Sequence, residues 1–370
     1  MKIRLSEEDR ALLWLNVELG SGTARVRKML EAFDGSATET FKAAAKNDIP
    51  EFKFLNDERR EQMHNHATQR YIRRIEERLE ELEINVATLN TDCYPQLLKN
   101  IYDPPYILFY KGTLYAEHRL PIAIVGAREP SDYGRRMARR LAEDLARSGA
   151  CIISGLAYGL DRIAAEGALD AQGNDYPTIA VLGNGPNIVY PSVNRDVYEL
   201  IAQRGAIVSE FMPGIAPKPS HFPMRNRIIS GLSRGVIVVE AREKSGTSIT
   251  VDCALEQGRD VFAVPGRVND ELSMGTNNLI RDGLAKITLS AEDVLEEYGI
   301  KPRIEERKAV VAAELPFEQG LVHRLLMAGE RSYDELAELT GFDASKLNST
   351  LTEMEFSGII KQSAGRLYGL

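Results

Sequence analysis

The sequence predicts an α/β protein: a mostly parallel β-sheet with helices on both faces, a helical region before it and a small helix-and-hairpin region after it. Three observations carry this. Between residues 121 and about 298, short strand-like runs recur at Ile122–Val125, Cys151–Ser154, Thr178–Leu182, Ala206–Ser209, Val236–Val239, Val261–Val264 and Lys286–Thr288. Most are apolar without alternation, as strands buried on both faces are. Helical patterns open between them near Gly134, Leu160, Val193, Arg225, Ser248 and Thr276, the cadence of β-α units. Finally, six strand ends run into loops rich in Gly, Ser, Asn and Arg, and such sheets bind ligands beyond the carboxyl ends of their strands.

At 370 residues the chain has room for two or three domains of about 100–200 residues each. A hydrophobic content of 44% and a charged content of 27% are those of an ordinary soluble globular protein. No apolar run approaches about 18 residues, and MKIRLSEEDRALLWL lacks the apolar core and small-residue site of a secretory signal. The expectation is a cytoplasmic protein with no membrane contact. Cys93, Cys151 and Cys253 are scattered and read as reduced, mostly buried thiols. His64 and His66 fall in a charged stretch and are expected to be solvated, so no metal site is predicted, nor any cofactor. The net charge of −8 argues mildly against wholesale coating of nucleic acid. Its distribution matters more: no acidic residue lies between Phe211 and Val239, which hold Lys218, Arg225, Arg227 and Arg234.

In chain order, residues 1–84 read as a helical domain. An apolar helix through Leu12–Leu19 meets Gly20-Ser21-Gly22-Thr23, and a second helix runs from Ala24 to about Phe33. A glycine turn between helices resembles a helix-hairpin-helix or SAM-type unit, and a plain packing domain fits it too. Residues 57–83 are expected to form one long solvated helix with many i,i+4 opposite-charge pairs. Strands at Asn85–Leu89 and Tyr106–Tyr110, around the stiff Asp103-Pro104-Pro105 turn, open a central domain over 85–298.

Within it, Pro121–Gly149 is pivotal. A strand stops at Gly126 and an arginine-rich helix opens near Gly134. A strand feeding a helix N-terminus suits an anion, because free amides and the helix dipole both favour negative charge. Arg128 sits in that turn as a phosphate grip or, equally, a solvated cap. Gly126 and Gly134 alone do not make the G-x-G-x-x-G fingerprint of dinucleotide sites. Single-strand binders combine a positive groove with aromatic faces, and His221-Phe222-Pro223-Met224-Arg225-Asn226-Arg227 supplies both within seven residues. Arg225 and Arg227, two apart, would face different ways on a helix; Arg227 could buttress its own loop.

Residues 299–315 read as a charged linker. Residues 316–370 show helical patterns at Gly320–Ala328, Ser332–Thr340 and Ala344–Ser357, then strands at Ile359–Gln362 and Arg366–Tyr368. This is the winged-helix plan. Residues 314–370 carry nine acidic and five basic residues, and Lys346 is the only base of the would-be recognition helix. A duplex reader needs the opposite sign, so a contact with protein or a packing role is expected of it.

The ordered string VGAREPSDYG, SGLAYGLD, AVLGNG with YPSVN, SEF-PG, HFPMRNRIISGLS, VVEA with SGT, ALEQGRDVFAVPG and GTNNLIRDGL resembles the DNA-processing protein A (DprA/Smf) family across about residues 85–298. The resemblance implies an extended Rossmann sheet, a SAM-like N-terminal domain and a C-terminal winged helix. It also implies a non-enzymatic protein of natural transformation that binds single-stranded DNA, protects it, helps load the RecA recombinase and dimerises through the later half of the central domain. The family's DNA-contacting positions map onto Gly126, Arg128, Ser131, Ser154, Gly155, Phe222, Arg225, Asn226 and Arg227. Ala127 stands where Thr or Ser is common. Tyr158 stands where Arg is common, which removes one phosphate contact or exchanges it for stacking.

An enzyme is the competing expectation. Nucleotide phosphoribohydrolases of the same superfamily use an Arg and a Glu beside a Pro-Gly-Gly-x-Gly-Thr loop, and Glu240 with Ser245-Gly246-Thr247 holds a comparable place. The Pro-Gly-Gly segment itself is missing.

Overall fold

The computed structural model describes residues 5–114, 120–301, 315–327, 329–356, 359–363 and 367–369, in two compact units, Met1–Pro302 and Arg303–Leu370. The expected linker lies outside the described residues from 302 to 314. No helix among the described residues is long and apolar enough to cross a membrane.

In the first unit, nine strands form one sheet: β1 (Asn85–Thr88), β2 (Ile107–Gly112), β3 (Pro121–Val125), β4 (Cys151–Ser154), β5 (Thr178–Val181), β6 (Gly205–Ser209), β7 (Gly235–Val238), β8 (Asp260–Ala263) and β9 (Lys286–Ile287). Their order is β1-β2-β6-β5-β4-β3-β7-β8-β9. From β6 across to β9 every pair is parallel, while β1 and β2 add an antiparallel edge. The chain builds outward from β3 through β6, then returns to lay β7 on the free side of β3. That reversal is the topological switch point, where a crevice opens at the strand ends.

Strand alternation explains the two-sided core. On β5 and β6, Ile179, Val181, Ala206 and Val208 point to one face, and Ala180 and Ile207 to the other. The first face is covered by α10 (His221–Gly231) and α11 (Gly246–Glu256) through Ile228, Ile229, Val251 and Ala254. The second is covered by α8 (Leu160–Asp170) and α9 (Arg195–Arg204) through Ala165, Val197 and Ile201. Each fully buried Val, Leu or Ile contributes about 1.5–3 kcal/mol. The other helices of this unit are α1 (Glu7–Leu19), α2 (Thr23–Glu31), α3 (Ala37–Ala45), α4 (Asp57–His66), α5 (Gln69–Glu81), α6 (Gln96–Lys99), α7 (Asp132–Arg147), α12 (Glu271–Arg281) and α13 (Ala291–Glu297).

The helices before residue 85 surround Trp14, which is fully buried edge-on to Phe41, and their core continues into Val86, Ile107 and Phe109 of β1 and β2. The expected single helix over 57–83 is two. Asn56 caps α4, Thr68 caps α5, and the chain breaks at Ala67. Nor is this a solvated element. Ile72, Ile75 and Leu79 share one face of α5 and are buried, an apolar stripe that the density of charges obscures. His66 is likewise engaged, its Nδ1 2.7 Å from the buried Glu18 carboxylate, and His64 Nδ1 lies 2.9 Å from the Ala44 carbonyl. Of the three cysteines, Cys151 is fully buried and Cys93 and Cys253 are half-buried.

The second unit is a winged helix: α14 (Phe317–Met327), β10 (Arg331–Ser332), α15 (Tyr333–Thr340), α16 (Ala344–Phe356), β11 (Lys361–Ser363) and β12 (Leu367–Gly369), with strand order β10-β12-β11. Ser332 and Glu335 form a capping box that starts α15, and Gly341 ends it in the left-handed conformation. Val322, Leu336, Leu347, Leu351 and Met354 make the core. Lys346 is paired with Glu318 at 3.0 Å, so the one base of the recognition helix is already neutralised.

Candidate functional site

Residues 126–131 leave β3 and residues 239–245 leave β7, on either side of the switch point. Here the first β-α turn does carry an anion at its helix N-terminus, and that anion belongs to the protein. The Glu240 carboxylate, 1% exposed, accepts hydrogen bonds from the Ser131 amide at 3.0 Å and from the Ser131 hydroxyl, whose oxygen in turn accepts from the Gly134 amide at 3.1 Å. A Cβ at Gly134 would collide with this carboxylate, and one at Gly126 would press on the Glu240 backbone. These two glycines are needed for close approach of the chain to itself. Ser131 is the cap of α7 and its hydroxyl is spent; it lines a separate groove with Tyr133, Arg136 and Arg267.

Beside this lies an open cleft of about 790 Å³, lined by Gly126 to Glu129, Asp161, Tyr190, Phe222, Arg225, Asn226 and the loop after β7. Its floor is Arg225, only 4% exposed. The guanidinium packs against Gly155, where any Cβ would overlap it. Asp161 provides the nearby counter-charge and accepts from the amides of Gly155 at 3.0 Å and Ala157 at 3.4 Å. Burial pushes the Asp161 carboxyl up and the Arg225 guanidinium down from their ordinary values. An arginine starts so high that it stays a cation at neutral pH. Its Nε and Nη1 are buried and have no hydrogen-bond partner among the described residues. Two unpaired donors on a buried cation at the floor of an open cleft are costly unless an acceptor arrives.

Above this floor, Arg128 is exposed, its guanidinium carbon 5.9 Å from the centre of the Phe222 ring. Phe222, half-buried, stacks on Tyr190 with centroids 5.8 Å apart and rests on Gly183. Tyr158, 51% exposed, lines the same recess. One wall is therefore aromatic and the floor and rim are cationic.

Several sequence motifs turn out to hold this cleft rather than to face it. Asn194, from YPSVN, donates to the carbonyls of Leu156 at 2.9 Å and Ala157 at 3.2 Å. It fixes a loop in which Leu156 sits at φ 51°, a strained value for a non-glycine residue. His221 stacks on Phe211 and lies 3.1 Å from the Gly183 carbonyl. Arg227 turns away from the cleft to Glu210 at 2.7 Å and Asp103 at 3.0 Å. Ser154 is wholly buried beneath the loop and accepts from the Leu156 amide.

Of the nine residues expected at the site, the structure brings Gly126, Arg128, Gly155, Phe222, Arg225 and Asn226 together. Ser131, Ser154 and Arg227 stand behind or beside them. The basic stretch between Phe211 and Val239 is not one patch, since Arg227 is neutralised and Arg234 immediately precedes β7, at the opposite end of the sheet. Sequence reasoning does not single out Asp161 or Tyr190. Both lie inside quoted motifs, which was the available signal.

A family model described as DNA recombination-mediator protein A matches residues 85–299, and one described as the DprA winged helix domain matches residues 306–366. The DNA processing protein DprA of Bacillus subtilis is 46% identical over 216 residues, covering 58% of this chain and 71% of that protein. Protein Smf of Escherichia coli is 39% identical over 298 residues, 78% of each chain. The X-ray structure of DNA processing protein A from Streptococcus pneumoniae superposes with a TM-score of 0.67 at 35% identity, over 80% of this chain and 99% of that one. That of the Helicobacter pylori protein, described for its single-stranded DNA binding mode, gives 0.51 at 32% identity over 58% of this chain and 95% of that one. Sheet, winged helix and motif order agree, and the chain belongs to the DNA recombination-mediator protein A (DprA/Smf) family.

Proposed function

We propose that this protein binds single-stranded DNA in the switch-point cleft, protects it and hands it to the RecA recombinase. The observation that carries the reading is the Arg225 guanidinium, buried at the cleft floor with two donors unpaired. A phosphate in the cleft would place negative charge and acceptor oxygens beside this cation. Phe222 and Tyr190 offer a face for a base, and Arg128 a second cation at the rim. The known binding of the Helicobacter pylori relative to single strands supports the same reading. The hydrolase alternative needs a carboxylate free to act at the cleft, whereas Glu240 is buried and held by Ser131. Titrating labelled oligo(dT) at several salt concentrations tests the proposal; release of free base from nucleoside monophosphates, without oligonucleotide binding, would overturn it.

Arg128 is exposed, so its removal leaves the fold intact. Arg128→Ala is expected to weaken binding of all sequences alike and to reduce the slope of log K against log salt by about 0.7–1, one phosphate contact. An unchanged slope would remove Arg128 from the path.

The protein is further proposed to act as a homodimer joined through β9. This strand is the sheet's edge, both its residues are exposed, and Leu284, Ile287 and Leu289 stand open beside one another in sequence. An uncovered apolar edge is a pairing template. Ile287→Asp with Leu289→Arg is expected to convert a dimer to a monomer in light scattering; a monomeric parent protein would refute the assignment.

A further inference from the structure

We infer that the polynucleotide makes a second contact outside the cleft, on Tyr102 and the basic start of α2. This rests on the single-strand reading above. Tyr102 is 90% exposed. A ring left so open gains almost nothing from folding, since hydrophobic stabilisation scales with the apolar area removed from water. It is nonetheless accompanied: the Arg27 guanidinium carbon lies 5.5 Å from the ring centre. Arg27 has no acidic partner among the described residues. Arg25 and Lys28 are exposed on the same helix, and Lys99 is exposed on α6, three residues before Tyr102. Glu31 and Asp34 fall at and beyond the far end of α2, and Asp103, beside Tyr102, is paired with Arg227.

An open aromatic face with a cation over it suits one stacked base and its phosphate. The position suits the same strand. Asp103, the next residue, pairs with Arg227 at 3.0 Å, and Arg227 lies two residues beyond Arg225 on α10. The loop carrying Tyr102 is thus tied to the opposite side of the helix that supplies Phe222 and Arg225 to the cleft. A strand long enough to leave the cleft over α10 meets Tyr102, whereas a short one ends before it.

The test compares labelled oligo(dT) of about 6 and about 20 nucleotides, lengths that bracket common single-strand site sizes. Tyr102→Ala is expected to weaken the longer oligonucleotide roughly fivefold or more while leaving the shorter one and the melting temperature unchanged. Tyr102→Phe is expected to restore affinity, and Arg27→Ala to repeat the length-selective loss. Equal affinity of parent and Tyr102→Ala for the longer oligonucleotide would overturn the inference, including where that variant loses binding of a protein partner instead. Arg128→Ala separates this from the cleft reading, because it weakens both lengths if the cleft binds and neither if it does not.

Discussion

Arg225→Ala is expected to destabilise the folded protein, because it removes the nearest counter-charge of the buried Asp161 carboxylate. The residue that remains, Asp161, is 9% exposed and holds the amides of Gly155 and Ala157. Without the guanidinium its charge sits in a low-dielectric pocket with Arg128 as the nearest compensation. Urea unfolding monitored by circular dichroism reads the loss directly. The double variant Arg225→Ala with Asp161→Asn is expected to recover a large part of the stability, since the uncompensated charge is gone, yet to recover no oligonucleotide affinity. Arg225→Lys keeps the charge and loses the planar fork that lies on Gly155, so it is expected to hold stability better than alanine and still bind weakly. If Arg225→Ala leaves the unfolding midpoint where it was, Arg225 is not the counter-charge that Asp161 depends on.

Phe222→Ala is expected to lower affinity for oligo(dT) by about 1–3 kcal/mol, roughly 5- to 150-fold, the usual worth of one stacked base. Phe222 is half-buried and also rests on Tyr190 and Gly183, so affinity and stability must be read together. Phe222→Leu keeps apolar bulk but has no ring face. It is expected to melt like the parent and bind like the alanine variant, while Phe222→Tyr binds like the parent. Should Phe222→Leu bind normally, the ring serves only to anchor its own loop.

The sheet was legible because its signals are local. Two-sided burial writes apolar runs into β3, β5 and β7, and glycine marks places such as 126, 134 and 155 where the chain passes close to itself. The break at Ala67 was not legible. Its cause is a cap at Thr68 and an apolar stripe of only three residues, submerged in a stretch of charges. The cleft was legible in part. The HFPMRNR segment named the right helix, and its two arginines diverge because residues two apart on a helix face different ways.

What sequence alone determined is therefore the parallel sheet, the loops at its carboxyl edge, the winged helix and the set of residues from which a site could be drawn. Tertiary structure decided which of those residues are free. Ser131 is claimed by Glu240, 109 positions on, and Arg227 by Asp103 and Glu210. Arg225 instead reaches the cleft floor beside Asp161 with donors to spare. The reason is that a charge is spent or available according to what lies within a few ångströms of it, and distance along the chain carries no record of that.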